Sequence, residues 1–467
     1  MQQLATLVRD SRALAVLAVP LALTQLAQVA LTTTDTIMMG LLGTTELAAG
    51  GLAIVLFNQI RTMGVGLVTS VGNQIAAAAA RAEKGDADTA AGTEAYDEVR
   101  GIVRAGLAVA TLAGLAGALV MIAIGYLLTW LGQDTAVVAL TRTMIYALAP
   151  GLLPCLWFQA IRQFTVGMRR PQALLRITLA SIAVNAALNW ALIHGTFGLP
   201  RLGLTGVGLA TSAVYLLSFL ALHLAAKKDP VLAPHLTLDP RADAATVRRL
   251  IGLGVPIAAT YGSEAGFFSV TALMAGSFGP DALAAHTAVN QLVYIVFQVA
   301  VGLSHAASIN VSRELALGNH DAARRIKNTA LACAGAVMTI VGTLYLTLPR
   351  VVLAPFLDTG SDQALTLAAH LLIVTAVLQF FDCAQNIGVG LLRGLDDTRS
   401  GFRITLIGYW AVGLPVTGLL AYALHLGVLG IWLGLLTGLA ATALLLLRRY
   451  GTALAATRSQ SAAAAAA

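Results

Sequence analysis

Charge is scarce in this sequence. Only 11% of its 467 residues are Asp, Glu, Lys or Arg, against roughly 25% in a soluble globular domain. A surface that poor in charge excludes an ordinary water-soluble enzyme or binding domain. Cysteine is scarcer still: Cys155, Cys333 and Cys383 stand far apart, with no CxxC, no metal-ligand spacing and no disulfide framework. The eight histidines are scattered and form no HxxxH pair. There is no GxxxxGK[ST] phosphate loop, no GxSxG and no HExxH, so neither an ATP-driven engine nor a hydrolase centre is visible. His286 and His305 are the mid-helix histidines, and neither has a catalytic partner by spacing; an enzyme is not expected. No basic patch interleaved with aromatics appears, which argues against nucleic acid. No cleavable signal is evident, and the first apolar run reads as a retained helix.

Apolar residues are abundant instead, at 58%. About 20 apolar residues span a bilayer as a helix. Hydropathy divides the chain into about twelve such spans, at 13–38, 47–79, 103–131, 136–166, 173–195, 204–226, 248–278, 283–313, 325–349, 363–393, 402–424 and 428–448. Alternation at period two is absent, which excludes a barrel. The expected fold is an all-α polytopic membrane protein.

The formal net charge of +7 reflects orientation. With the N-terminus inside, the cytoplasmic connections collect Arg9 and Arg12, then Arg81, Lys84, Arg100 and Arg104, then Arg169, Arg170 and Arg176. Lys227, Lys228, Arg241, Arg248, Arg249, Arg313, Arg324, Arg325 and Lys327 follow, with Arg393, Arg399, Arg403, Arg448 and Arg449. The opposite side receives Arg142, Arg201 and Arg350. This is a strong positive-inside bias, and an even number of spans puts both termini in the cytoplasm.

The chain also resembles itself. A shift of 236 positions lays Pro20 on Pro256, Gly43 on Gly279, Leu47-Ala48-Ala49 on Leu283-Ala284-Ala285, and Val65-Gly66-Leu67 on Val301-Gly302-Leu303. A slightly smaller shift pairs Arg176-Ile177-Thr178-Leu179 with Arg403-Ile404-Thr405-Leu406. Ordered coincidences of this kind indicate two related halves. Each half starts on the same side, so the repeat axis runs along the membrane normal. The expected organisation is a six-helix bundle over 1–226, a cytoplasmic linker over 227–247, a second six-helix bundle over 248–450 and a disordered cytoplasmic tail over 451–467. The stretch 81–101 reads as a solvated, mixed-charge loop.

Three carboxylates do not sit in polar connections: Asp35, Glu264 and Asp382. A charge within a bilayer costs at least ~2.5–3.5 kcal/mol on insertion scales. Each acid has polar or aromatic company at helical spacing. Gln379, Gln385 and Asn386 flank Asp382, Tyr261 lies one turn before Glu264, and Phe267 and Phe268 lie one turn after it. Asn185 and Asn189, four residues apart, fall where the fifth span reaches the depth of Asp35, so the three can share one site. Carboxylate with amide oxygen suits Na⁺ or a protonatable acid. The alternative for each acid is a structural ion pair or hydrogen bond, and Arg61, a base deep in the second span, is the candidate partner.

The segments "TDTIMMGLLGTTELAAG", "VPIAATYGSEAGFFSVTALMAGSFGPDALAAH", "NAALNWALIHGTFGLPRLGLTGVGLAT" and "FFDCAQNIGVGLLRGLDDTRSGF" together resemble signatures of the MATE (multidrug and toxic compound extrusion) transporters. The resemblance extends from about residue 10 to 450. A Glu in the seventh helix with an Asp in the tenth is similar to the NorM branch.

The resemblance implies two pseudo-twofold-related bundles and a secondary transporter that exchanges Na⁺ or H⁺ for cationic amphipathic drugs or toxins by alternating access. It implies a bacterial inner-membrane location, no cofactor beyond the coupling cation, and a monomer. By match, Asp35, Asn185 and Asn189 form the cation site of the first lobe, and Glu264 and Asp382 that of the second. These five residues hold Na⁺ if sodium is the coupling ion. Glu264, Asp382, Tyr261, Phe267, Phe268 and Gln385 are the candidate substrate contacts. The alternative is a flippase for a lipid-linked saccharide, which would need a strongly basic cavity for its pyrophosphate.

Overall fold

The computed structural model describes residues 2–84, 90–131, 135–196, 198–236, 241–357 and 362–466. Among these the chain is helical and contains no strand. Twelve long helical segments account for most of it. They are α1 Gln2–Gly40, α2 Thr44–Lys84, α3 Ala90–Leu127 and α4 Thr135–Gly167. Next come α5 Gln172–His194, α6 Gly203–Lys228, α7 Ala244–Gly276 and α8 Pro280–Ala316. The last four are α9 His320–Thr347, α10 Asp362–Gly394, α11 Thr398–Ala423 and α12 Gly427–Ala466. Eleven of these, all but α7, contain a window long and apolar enough to cross a membrane. In α7 the run Thr260-Tyr261-Gly262-Ser263-Glu264 dilutes the apolar content around its one acid. The expected all-helical polytopic fold of about twelve spans is what the chain adopts.

Two compact units form, and they cross the sequence halves. One comprises Met1–Ala22 with Thr260–Ala467, the other Leu23–Ala259. The unit boundaries therefore fall inside α1 and α7, about a turn after Pro20 and Pro256. Proline removes an N–H from the helical ladder and permits a bend, so each of these helices can serve two units.

The crossing obeys the sequence repeat. In the first unit, a Cβ on Gly302 of α8 would lie 2.6 Å from the Ala22 nitrogen of α1. In the second unit, a Cβ on Gly66 of α2 would lie 2.7 Å from Ala258 Cα of α7. Gly66 and Gly302 are 236 positions apart, as are Ala22 and Ala258. Glycine at each crossing lets the backbones touch. Asp10 of α1 also pairs with Arg325 of α9 at 3.3 Å within the first unit.

Two of the charged stretches differ from their sequence reading. Most of 81–101 is helix, extending α2 and α3, and Arg81 of α2 bridges Glu98 of α3 at 2.8 Å; residues 85–89 lie outside the described residues. The linker 227–247 is largely exposed where it is described, with a few local contacts. Asp229 pairs with Arg170 at 3.2 Å, and a short helical turn Ala233–His235 buries His235; residues 237–240 lie outside the described residues. The tail 451–467, expected to be disordered, continues α12 to Ala466. Alanine-rich sequence has high helix propensity, and Arg458 pairs with Asp321 of α9 at 3.2 Å.

Each unit has its own core. In the Leu23–Ala259 unit Met39, Phe57, Met121, Met144, Ile145 and Tyr215 pack together. In the other unit Phe267, Tyr345, Leu371, Tyr409 and Trp432 do so. Both buried-acid clusters lie beside these cores.

Candidate functional site

In the Leu23–Ala259 unit, α1, α5 and α6 converge on Asp35. Asn189 Nδ2 donates to Asp35 Oδ1 at 2.8 Å and to Asn185 Oδ1 at 2.9 Å. The Thr211 hydroxyl of α6 lies 2.9 Å from Asp35 Oδ2 and 3.1 Å from the Val207 carbonyl, sharing one proton between them. Asp35, Asn185, Asn189 and Thr211 are all buried. Asn185 and Asn189 meet because residues four apart share a helix face. Asn185 Nδ2 and Asn189 Oδ1 are buried without a hydrogen-bond partner. The cluster thus keeps unspent polar capacity, including an amide oxygen, next to a carboxylate. Amide and carboxylate oxygens are suitable ligands for a hard monovalent cation.

Arg61, the candidate ion-pair partner, donates from Nε to Asn58 Oδ1 at 3.3 Å on its own helix α2. The phenol of Tyr215, one turn beyond Thr211, stands with its ring centroid 5.9 Å from that of Phe57.

In the other unit, α7, α10 and α11 build a second acidic cluster. Tyr409 donates to Glu264 Oε1 at 3.3 Å. Asn386 Nδ2 lies 3.3 Å from Asp382 Oδ1, 3.0 Å from the Asp382 carbonyl and 3.2 Å from Gln385 Oε1. Glu264, Asp382, Gln385 and Asn386 are buried. Gln379 leaves this group: its Nε2 donates to the Tyr345 hydroxyl of α9 at 3.2 Å.

The aromatic candidates part company. Phe267 is fully buried and stacks on Tyr409, with centroids 4.9 Å apart and planes 9° apart. It braces the phenol that bonds Glu264 and presents no free face. Phe268 and Tyr261 are half-buried, and the Arg393 guanidinium lies 5.9 Å from the centroid of the Tyr261 ring. Trp410, next to Tyr409, donates to Ser263 at 2.8 Å, one residue before Glu264. Tyr409 and Trp410 lie in a π-helical stretch, Ile407–Gly413, just before Pro415. Widened turns of this kind re-aim side chains and recur at functional sites.

Thr211, Tyr409 and Trp410 escape a reading of the sequence. Thr211 is one of two adjacent hydroxyl residues, Thr211-Ser212, in a mostly apolar helix, where a threonine usually only bonds back to its own helix, as it also does here. Tyr409 and Trp410 carry no helical-spacing signal. The Ile407–Gly413 widening that points them at α7 is a tertiary feature.

The MatE family profile matches residues 20–191 and 256–419. The two matches begin 236 residues apart, the offset of the internal repeat. The chain is 36% identical over 440 residues to a probable multidrug resistance protein NorM of Pseudomonas aeruginosa, covering 93% of this chain and 88% of that protein. It is 38% identical over 443 residues to another probable multidrug resistance protein NorM, of Bradyrhizobium diazoefficiens, covering 93% and 91%. Its fold matches the outward-facing structure of a multidrug resistance MATE family transporter of the MOP superfamily, with a TM-score of 0.85 at 17% identity over 96% of this chain and 97% of that one. With one family profile covering both halves and NorM proteins alike along nearly the whole length, the chain is a member of the MatE family of membrane transporters.

Proposed function

We propose that this transporter exports cationic, amphipathic compounds in exchange for Na⁺ or H⁺ by alternating access, from the bacterial inner membrane with both termini in the cytoplasm. What supports this is that Asp35, Glu264 and Asp382 are buried within α1, α7 and α10 and are bonded by neutral donors: Asn189 and Thr211, Tyr409, and Asn386. Buried charge without a fixed counter-charge is costly, so a mobile cation is the natural partner for such groups. Binding of that cation or of a cationic substrate compensates the same carboxylates, and the two then compete. Competition for one charge is what couples an inward ion to an outward drug.

The relatives named as multidrug resistance proteins support a broad set of small organic substrates. The acidic character of both clusters favours cationic substrates over the pyrophosphate of a lipid-linked saccharide. Half-buried Phe268 offers an aromatic face near Glu264 for a planar cation.

The test is drug efflux by the single variants Asp35→Asn, Glu264→Gln and Asp382→Asn in a strain lacking its own exporters. Each is expected to lower efflux tenfold or more at unchanged protein level. Wild-type efflux from all three would refute the assignment.

A further inference from the structure

At the charged end of the Thr260–Ala467 unit, far along α12 from its apolar span, α9 and α12 enclose a groove of about 320 Å³. One wall is the first two turns of α9, with Asp321, Arg324 and Lys327; the other is α12, with Gly451, Ala455 and Arg458. The two helices are held together here by the Tyr450 hydroxyl, which donates to the Ala323 carbonyl at 2.9 Å, and by the Arg458–Asp321 pair at 3.2 Å. Arg324 and Lys327 have neither an ion pair nor a side-chain hydrogen bond among the described residues. Gly451 leaves the floor open, since a Cβ there would meet nothing within 4 Å.

Membrane orientation alone does not account for this arrangement. The repeat-related connection of the first half, Arg81 to Arg104, holds four bases and six acids, whereas Arg313 to Lys327 holds four bases and only two acids. In the first half the bases find local partners, as in Arg81 with Glu98 and Arg100 with Asp97. In the second half two bases are left over, and both face one groove.

The groove also opens toward the membrane. Leu444, Gly451, Ala455 and Arg458 follow one another at spacings of seven, four and three residues, which places them on one face of α12. Leu444 is exposed and lies roughly 10 Å toward the bilayer from Gly451. On α9 the half-buried Leu331 continues the line of Arg324 and Lys327 in the same direction. Cationic side chains at the headgroup level with apolar side chains running inward from them suit a molecule with an anionic head and acyl tails.

We propose that this groove binds the phosphate headgroup of an anionic phospholipid, with Arg324 and Lys327 as its principal charge partners and Arg458 at its rim. The site is independent of the acidic clusters and of the transport cycle read from them.

The test is native mass spectrometry of the full chain, purified in detergent and offered equal amounts of dioleoyl-phosphatidylglycerol and dioleoyl-phosphatidylcholine. Selective retention of phosphatidylglycerol is expected. A base near an anionic headgroup contributes about fivefold in affinity, so the Arg324→Gln, Lys327→Gln double variant should lose about 25-fold of it. Gly451→Trp, which fills the groove and changes no charge, should abolish the selectivity as well, and it decides the matter if the double variant does not fold. A large excess of inorganic phosphate should leave the lipid in place; displacement would show a site for soluble anions and overturn the proposal. Equal retention of the two lipids, or retention unchanged in both variants, would also overturn it.

Discussion

Asn189 joins Asp35 to Asn185, giving one N–H to the carboxylate at 2.8 Å and the other to the neighbouring amide oxygen at 2.9 Å. The bond to Asp35 links α5 to α1 across 154 positions of sequence. It uses both donors of Asn189 and leaves its own oxygen open. One side chain therefore orients the acid while its own amide oxygen stays unpaired among the described residues.

Asn189→Ala should strip Asp35 Oδ1 of its donor and leave a buried acceptor unpaired. Such a loss costs about 1–3 kcal/mol. Thermal unfolding in detergent should show that loss in the variant, and Asn189→Ala should add little to it in an Asp35→Leu background. Independent, additive effects would mean that the two residues do not act through each other.

Glu264 depends on a phenol braced from behind. Tyr409→Phe removes the 3.3 Å bond to Glu264 but keeps the ring stacked on Phe267. It should cost about 1 kcal/mol of stability and shift the half-saturating concentration of the coupling cation several-fold. Phe267→Ala removes the brace and a fully buried ring, at about 3–5 kcal/mol. Titrating efflux against cation concentration, beside melting curves, separates the two roles. A Tyr409→Phe variant with unaltered cation dependence would make that bond purely structural.

Much of this was legible in the sequence. Twelve apolar runs and one-sided charge placement give the spans because a bilayer imposes both. The 236-residue repeat marks Gly66 and Gly302, Pro20 and Pro256, as equivalent. It does not show that α1 and α7 each serve two units, because crossing leaves no trace in hydropathy. The acids stand out because charge is costly in lipid, and Asn185 and Asn189 because their spacing puts them on one face. Thr211, Tyr409 and Trp410 do not stand out, since a hydroxyl or aromatic residue in an apolar helix gains its role only from the helix opposite. Phe267 shows the limit of spacing along one helix. Proximity in sequence to Glu264 suggests a substrate contact, whereas packing against Tyr409 buries it.

Close packing of α11 on α12 rests on particular glycines. A Cβ on Gly430 would lie 2.6 Å from the Ala421 nitrogen, while one on Gly418 would meet nothing within 4 Å. Gly430→Ala must push the two helices apart and should lower the melting temperature by several degrees. Gly418→Ala should be neutral or slightly stabilising through helix propensity. Equal effects at the two positions would contradict the packing.

The connector between the halves carries a pH signature. His235 is buried, its ring 5.6 Å from Tyr96 and 6.2 Å from Phe164. Burial first, and then the Arg100 guanidinium, hold its pKa below the usual 6.5. The folded state therefore prefers the neutral ring, and the unfolded chain takes up the proton first. This contribution to stability is complete above about pH 6.5 and is lost as pH falls from there toward the lowered value. His235→Phe keeps the ring contacts and cannot titrate, so it should flatten that part of the stability profile measured between pH 7.5 and 5. An identical profile in wild type and variant would assign the dependence to other groups.

If the buried acids exchange an inward cation for an outward cationic drug, an imposed ion gradient must drive the drug across a membrane. Ethidium movement in proteoliposomes, driven in turn by an imposed Na⁺ gradient and an imposed pH gradient, is the direct measurement. Transport against the ethidium gradient is expected under one of them, with its loss in Asp35→Asn and Glu264→Gln. Folded wild-type protein that moves no ethidium under either gradient, or acid variants that move it as well as wild type, would rule out exchange at these acids.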